Sequence, residues 1–172
     1  MNMKKVLFPI FICLTLLVTS CHREVKQFTG DYSYKLSGEV AITDEDGDIS
    51  YLLVHKTGQM NILPDKNSEN ANDVIITMNE LNGGAYTIHA TINDDAIVLS
   101  PYDFNTNILS TEGTSIFDQD NNNSIVYRIS AAGQGYLNDE ILVIDEQWSG
   151  VQSGNHAITL SSPKMTILAE RN

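Results

Sequence analysis

Residues 30–54 read GDYSYKLSGEVAITDEDGDISYLLV, and their periodicity decides the fold class. Tyr32, Tyr34, Leu36, Val40 and Ile42 fall on even positions, with Ser33, Lys35, Ser37 and Glu39 between them. Successive side chains of a strand point to opposite faces, so this alternation is that of a strand with one face in a core. It stops at TDEDGD, where Asp46-Gly47 predicts a type I′ hairpin turn, and Ile49 to Val54 returns as a second strand. A polar turn between two apolar-bearing runs is an antiparallel hairpin.

The same signals recur downstream. Gln59 to Leu63 reads as a third strand after a kink at Gly58, and Pro64 closes it because proline has no N–H for the ladder. Asp65 to Asp73 is a loop, Val74 to Met78 a β-branched run, and Asn82-Gly83-Gly84 a turn. Tyr86, Ile88, Ala90 and Ile92 alternate with Thr87, His89 and Thr91; Asn93-Asp94-Asp95 then turns the chain into Ala96 to Leu99, and Pro101 ends that run. Phe104 to Phe117 is ambiguous, and DQDNNN at residues 118–123 is loop. Ile125, Tyr127 and Ile129 open another strand, with a bulge or bend at Gly133 to Gly135 and a turn at Asn138-Asp139. Ile141 to Ile144 is a strand, Trp148 to Asn155 a Gly- and Ser-bearing loop, and Ala157 to Leu160 and Met165 to Ala169 flank Pro163. Eight to ten short strands without an amphipathic helix predict an all-β antiparallel meander that closes into a barrel, with a β-sandwich as the alternative.

Upstream of this domain, Lys4 and Lys5 precede the apolar run Val6 to Val18 and the small pair Thr19-Ser20, which is signal-peptide anatomy. The run is about 13 residues long, against the roughly 20 a helix needs to cross a bilayer. Val18-Thr19-Ser20-Cys21 resembles the lipobox of bacterial lipoproteins. The resemblance implies cleavage after Ser20, a diacylglyceryl thioether on Cys21 and N-acylation of the same residue, and several acyl chains hold a protein on its membrane stably. Cys13, the other cysteine, lies in the leader, so the mature chain is expected to have no disulfide. The expected organisation is a signal peptide over residues 1–20, a lipidated N-terminus and tether over 21–29, and one barrel domain over 30–172. The residue after Cys21 is His22, not Asp, and no acidic cluster follows. By the sorting habits of such lipoproteins this points to the outer membrane of a Gram-negative cell, on its periplasmic face.

Loss of 20 residues from 172 leaves 152, a length that suits one domain burying about 68–70 % of its unfolded surface. The leader removes two lysines and no acids, so 8 basic residues stand against 22 acidic ones, a net charge of −14. Nucleic-acid binding needs a basic footprint, which no window of this chain supplies, and that function class is excluded.

Gly30-Asp31-Tyr32, at the head of the first long strand, is similar to the G-x-W entrance motif of lipocalins, with Tyr32 in the tryptophan's place, and the meander over residues 28–170 looks like the wider calycin group. The resemblance implies a lipocalin-like barrel that takes a small hydrophobic or amphipathic ligand. Tyr34, Tyr86 and Tyr127, at inward positions, and the sole tryptophan, Trp148, are the candidate ligand-binding residues. The same bulky rings also suit a lumen filled by its own side chains, which their size slightly favours.

Motifs for chemistry are sparse. Counted from Asp44, the sixth and twelfth residues are Ile49 and His55, not the Gly and Glu of a calcium-binding EF-hand loop. His55, His89 and His156 are isolated, with no zinc-ligand spacing, and WSGVQSGNH contains Ser149, Ser153 and His156 but no nucleophile elbow. The expectation is therefore a noncatalytic envelope lipoprotein without metal or cofactor, which binds a small ligand in its barrel. The alternative is a structural or accessory lipoprotein whose outer surface binds another envelope protein.

Overall fold

The computed structural model describes residues 24–81, 84–108 and 125–172. The expected signal peptide, the expected cleavage point after Ser20 and Cys21 lie outside the described residues, as do the DQDNNN segment and most of the ambiguous stretch before it. Among the described residues nine strands follow one another: β1 (Gly30–Thr43), β2 (Ile49–Pro64), β3 (Asp73–Glu80), β4 (Ala85–Asn93), β5 (Ala96–Leu99), β6 (Tyr102–Asn107), β7 (Val126–Asn138), β8 (Ile141–Gln152) and β9 (Asn155–Arg171). All pairings are antiparallel, in the order β5-β4-β3-β2-β1-β9-β8-β7-β6, and β5 also pairs with β7. That last pairing closes the sheet on itself. The fold is a β-barrel, and the sandwich alternative is set aside.

β5 and β6 share one place in the ring. β7 pairs with β6 from Val126 to Ala131 and with β5 from Gln134 to Tyr136, so the Ser100-Pro101 step divides what would be a single strand. The partner changes at Gly133 to Gly135, where β7 keeps an unshifted register with β8, so of the bulge or bend expected there the bulge is absent. The irregularity lies in β9 instead, where Glu146 opposes Met165 and Trp148 opposes Ser162, so Gln147 faces both Pro163 and Lys164. A bulge absorbs the extra residue and the proline, which cannot donate to a ladder, and keeps Ser162 and Met165 both buried.

Several other local expectations change. β2 runs unbroken through Gly58. The β1–β2 hairpin is present, but of its loop residues only Gly47 has positive φ, at 87°, so the turn is not type I′. Asp44 shapes it: one carboxylate oxygen accepts the Asp46 and Asp48 amides at 3.0 and 2.8 Å. The stretch from Trp148 to Asn155 is not a loop, because β8 continues to Gln152 and turns directly into β9. The turns at Asp94 and Asp139 hold as expected, each with a φ near 55°.

Residues 24–28, in the stretch expected to be a polar tether, are helical, and Val25 and Phe28 are buried. Tyr32 donates its hydroxyl to the Phe28 carbonyl at 2.8 Å, and Arg171 Nη2 donates to that hydroxyl at 2.8 Å and also bonds the Gln27 carbonyl. The guanidinium lies 5.3 Å from the Tyr32 ring centroid, so it adds a cation–π contact. Both ends of the domain are thereby tied to β1. Above them the interior is apolar, built on Met60, Ile62, Ile76, Ile88, Ile92, Ile97, Leu142 and Ile167.

Candidate functional site

The rest of the interior is different, because alternation also turns polar side chains inward. On β2, Leu52, Val54, Lys56, Gly58 and Met60 share the inner face; β3 brings Glu80 inward after Met78, and β8 brings Glu146 and Trp148 after Leu142 and Ile144. Lys56 Nζ donates to Glu80 Oε2 at 2.7 Å and also bonds the Thr106 hydroxyl, with both charged side chains about nine-tenths buried. Glu146 is 2 % exposed. Its Oε1 accepts the Tyr102 hydroxyl at 2.7 Å and its Oε2 the Trp148 indole N–H at 2.8 Å. Burial raises the Glu146 pKa, opposed by those two hydrogen bonds, which favour the charged form.

Tyr34 stands among these groups. It is 2 % exposed, and its hydroxyl has no hydrogen-bond partner. Burial raises its pKa first, and the negative fields of Glu80 and Glu146 raise it further. Tyr34 reaches this position because its cross-strand partner on β2 is Gly58. A Cβ there would fall 2.7–2.8 Å from the Tyr34 ring edge and hydroxyl and 2.1 Å from the Asn79 carbonyl oxygen. The glycine is required for close approach, not for a kink.

Next to this group the hydrogen-bonded wall opens. β4 pairs with β5 only from Ala90 to Asn93, and β6 pairs with β7, so among the described residues no ladder joins β6 to residues 85–89. Side chains close the seam. Tyr86 and Phe104 stack at 4.8 Å between centroids, Tyr102 and Phe104 at 5.6 Å, and Tyr86 and Tyr102 at 6.0 Å; Trp148 meets the edge of Phe104 at 5.3 Å. Tyr86 and Tyr102 remain half-buried and both have raised pKa values, chiefly through burial and then through Glu146.

Of the four ring residues singled out by sequence, Tyr34, Tyr86 and Trp148 therefore belong to one site. Tyr127 is buried too, opposite Thr106 on the neighbouring strand, and makes none of these ring contacts. Sequence reasoning missed Lys56, Glu80, Tyr102, Phe104 and Glu146. The inward register of β2 and β3 contains Lys56 and Glu80; Glu146 escapes because the apolar run that marks the strand in the sequence stops at Ile144, whereas β8 continues to Gln152. Ser149, Ser153 and His156 form no shared site: Ser149 pairs with Ser161 on β9, and the other two are exposed. His89 points outward, with its Nδ1 3.5 Å from Asp65. Among the described residues no group of three or more His, Cys, Asp or Glu side chains converges to hold a metal ion. Comparison of the chain with family models, with curated proteins and with solved structures finds no match, so the function has to be argued from this geometry.

Proposed function

We propose that this chain is a noncatalytic envelope lipoprotein, lipid-anchored at Cys21 on the periplasmic face of the outer membrane, whose lipocalin-like barrel binds a small amphipathic ligand. The ligand's polar head lies beside Tyr34 and Glu146, and its apolar part runs out along the rings of Tyr86, Phe104 and Tyr102. The observation that carries this reading is the partnerless Tyr34 hydroxyl. Leaving such a group buried and unsatisfied costs about 1–3 kcal/mol, and folded interiors satisfy the great majority of their polar atoms. A bound head group removes that cost. The ring-closed seam offers a route to it, since side chains rotate more easily than a strand ladder opens.

A second reading has its own observation. Ile49, Tyr51 and Leu53 point outward from β2 and are 56, 64 and 50 % exposed, and β3 pairs with β2 only from Gly58 onward. An apolar stripe beside an unpaired strand edge suits an accessory lipoprotein that docks on another envelope protein.

Native mass spectrometry of the protein made in Gram-negative cells, with leader and Cys21 intact and extracted in mild detergent, tests both parts of the proposal. The expected result is a lipid mass on the N-terminal peptide, absent in Cys21→Ala, and a small molecule on the folded domain of both forms. An unmodified Cys21 overturns the anchor. A ligand-free domain that also takes up no amphiphile when challenged overturns the carrier reading in favour of the docking one.

A further inference from the structure

Charge inside the barrel is unbalanced, and the imbalance says which head group fits. Among the described residues Lys56 is the one basic side chain that is not solvent-exposed, and it is already committed to Glu80 at 2.7 Å. Glu146, more deeply buried, is met only by neutral donors, the Tyr102 hydroxyl and the Trp148 indole. Buried charges are ordinarily paired. Tyr34, which carries the partnerless hydroxyl, feels the fields of both carboxylates, and its oxygen is a free acceptor there. The neighbouring surface is the stack of Tyr86, Phe104 and Tyr102, whose rings attract cations through their electron-rich faces.

We infer that the head group taken by this site is an organic cation, a protonated amine on an apolar tail, with its N–H groups donating to the Glu146 carboxylate and the Tyr34 oxygen. The inference rests on the lumen-binding reading and narrows it. An anionic amphiphile would meet Glu146 with no free cation to offset it, and an uncharged one would leave the carboxylate unpaired. The net charge of −14 on the mature chain favours approach of the same ligand class.

Trp148 is the sole tryptophan and is bonded to Glu146, so its fluorescence reports occupancy of this site. The test is to titrate the full-length lipidated protein with dodecylammonium, dodecanol and dodecanoate, each below its micelle-forming concentration, and to confirm binding by calorimetry. Dodecylammonium is expected to bind about tenfold or more tighter than the other two. Glu146→Gln is expected to erase that preference, and Tyr34→Phe, a change with little risk to folding, to reduce it. If dodecanol or dodecanoate binds as tightly as the ammonium, the cation assignment fails while the lumen reading stands. If none of the three perturbs Trp148 or gives heat, both fail together. Persistence of the ammonium preference in Tyr34→Phe and in folded Glu146→Gln also overturns the assignment.

Discussion

Tyr32 and Tyr34 leave β1 on the same face, two residues apart, and both are buried, yet their hydroxyls have opposite fates. Tyr32 sits where the two ends of the domain converge. The helical turn before β1 supplies an acceptor in the Phe28 carbonyl, the end of β9 supplies a donor in Arg171, and the hydroxyl is satisfied on both sides. Tyr34 sits one pleat further in, over a glycine, between two carboxylates, and has no partner. The first region is built to be finished by the chain itself. The second holds an ion pair, a lone buried carboxylate and a vacant acceptor behind a seam of rings, an arrangement more costly than an apolar core of the same volume. Costs of that kind gather where a protein does something besides fold.

The largest expected effect comes from removing the space that Tyr34 uses. Gly58→Ala puts a Cβ against the Asn79 carbonyl oxygen and the Tyr34 ring together, and backbone cannot yield as a flexible side chain does; a loss of about 3 kcal/mol in urea unfolding is expected. Lys56→Met comes next. It leaves Glu80 with its counter-ion gone and most of its side chain buried, for a loss of about 2–3 kcal/mol, less than for a fully buried pair because some solvent reaches both partners. The two tyrosines then separate the regions directly. Tyr32→Phe strips a partner from Arg171 and from the Phe28 carbonyl, and should cost about 1–2 kcal/mol. Tyr34→Phe removes a hydroxyl that bonds nothing, and in the ligand-free protein should be neutral or stabilising by about 1 kcal/mol. Equal losses in both variants would erase the distinction between the two regions.

The barrel was legible in the sequence because period-two alternation and turn residues act locally: Asp94 and Asp139 take positive φ at the expected hairpins, and the inward faces of β1 and β4 are those read from Tyr32 to Ile42 and from Tyr86 to Ile92. Local reading failed where a neighbouring strand decides. Gly58 reads as a breaker until Tyr34 is seen lying across it, Pro163 as a strand end until the β9 bulge takes it up, and Ser149-Gly150 as loop until β7 and β9 flank them. The site was half legible for the same reason. Tyr34 and Tyr86 announce themselves because they sit on clearly alternating strands, whereas Tyr102 and Phe104 lie beside or within an ambiguous stretch, and Lys56, Glu80 and Glu146 look like ordinary surface charges until the register turns them into the barrel.

The smallest effect expected is a pH dependence, and among the described carboxylates with shifted pKa values its sign belongs to Glu146 of the Tyr34 region alone. Burial raises the folded-state pKa of Glu146 above its unfolded value, so between those two values the unfolded chain has released a proton that the folded one retains. Stability from this group therefore falls as pH rises through that window and stays at the lower level above it. Asp73 and Asp145 act in the opposite sense. Hydrogen bonds from Ser68 and Thr91 lower the first and Lys164 lowers the second, so their contribution is present above the unfolded pKa and is lost as pH falls through the folded one. Wild type alone would mix these slopes. The difference between wild type and Glu146→Gln isolates the one of interest, and should move in the variant's favour as pH rises above the ordinary glutamate range. Saturating dodecylammonium should flatten that difference, because a cation beside the carboxylate favours its charged form and brings the folded pKa back toward the unfolded one. A slope of the reverse sign would mean that Glu146 is stabilised as an anion by its two donors alone, and that the ligand-free site already holds its charge without help.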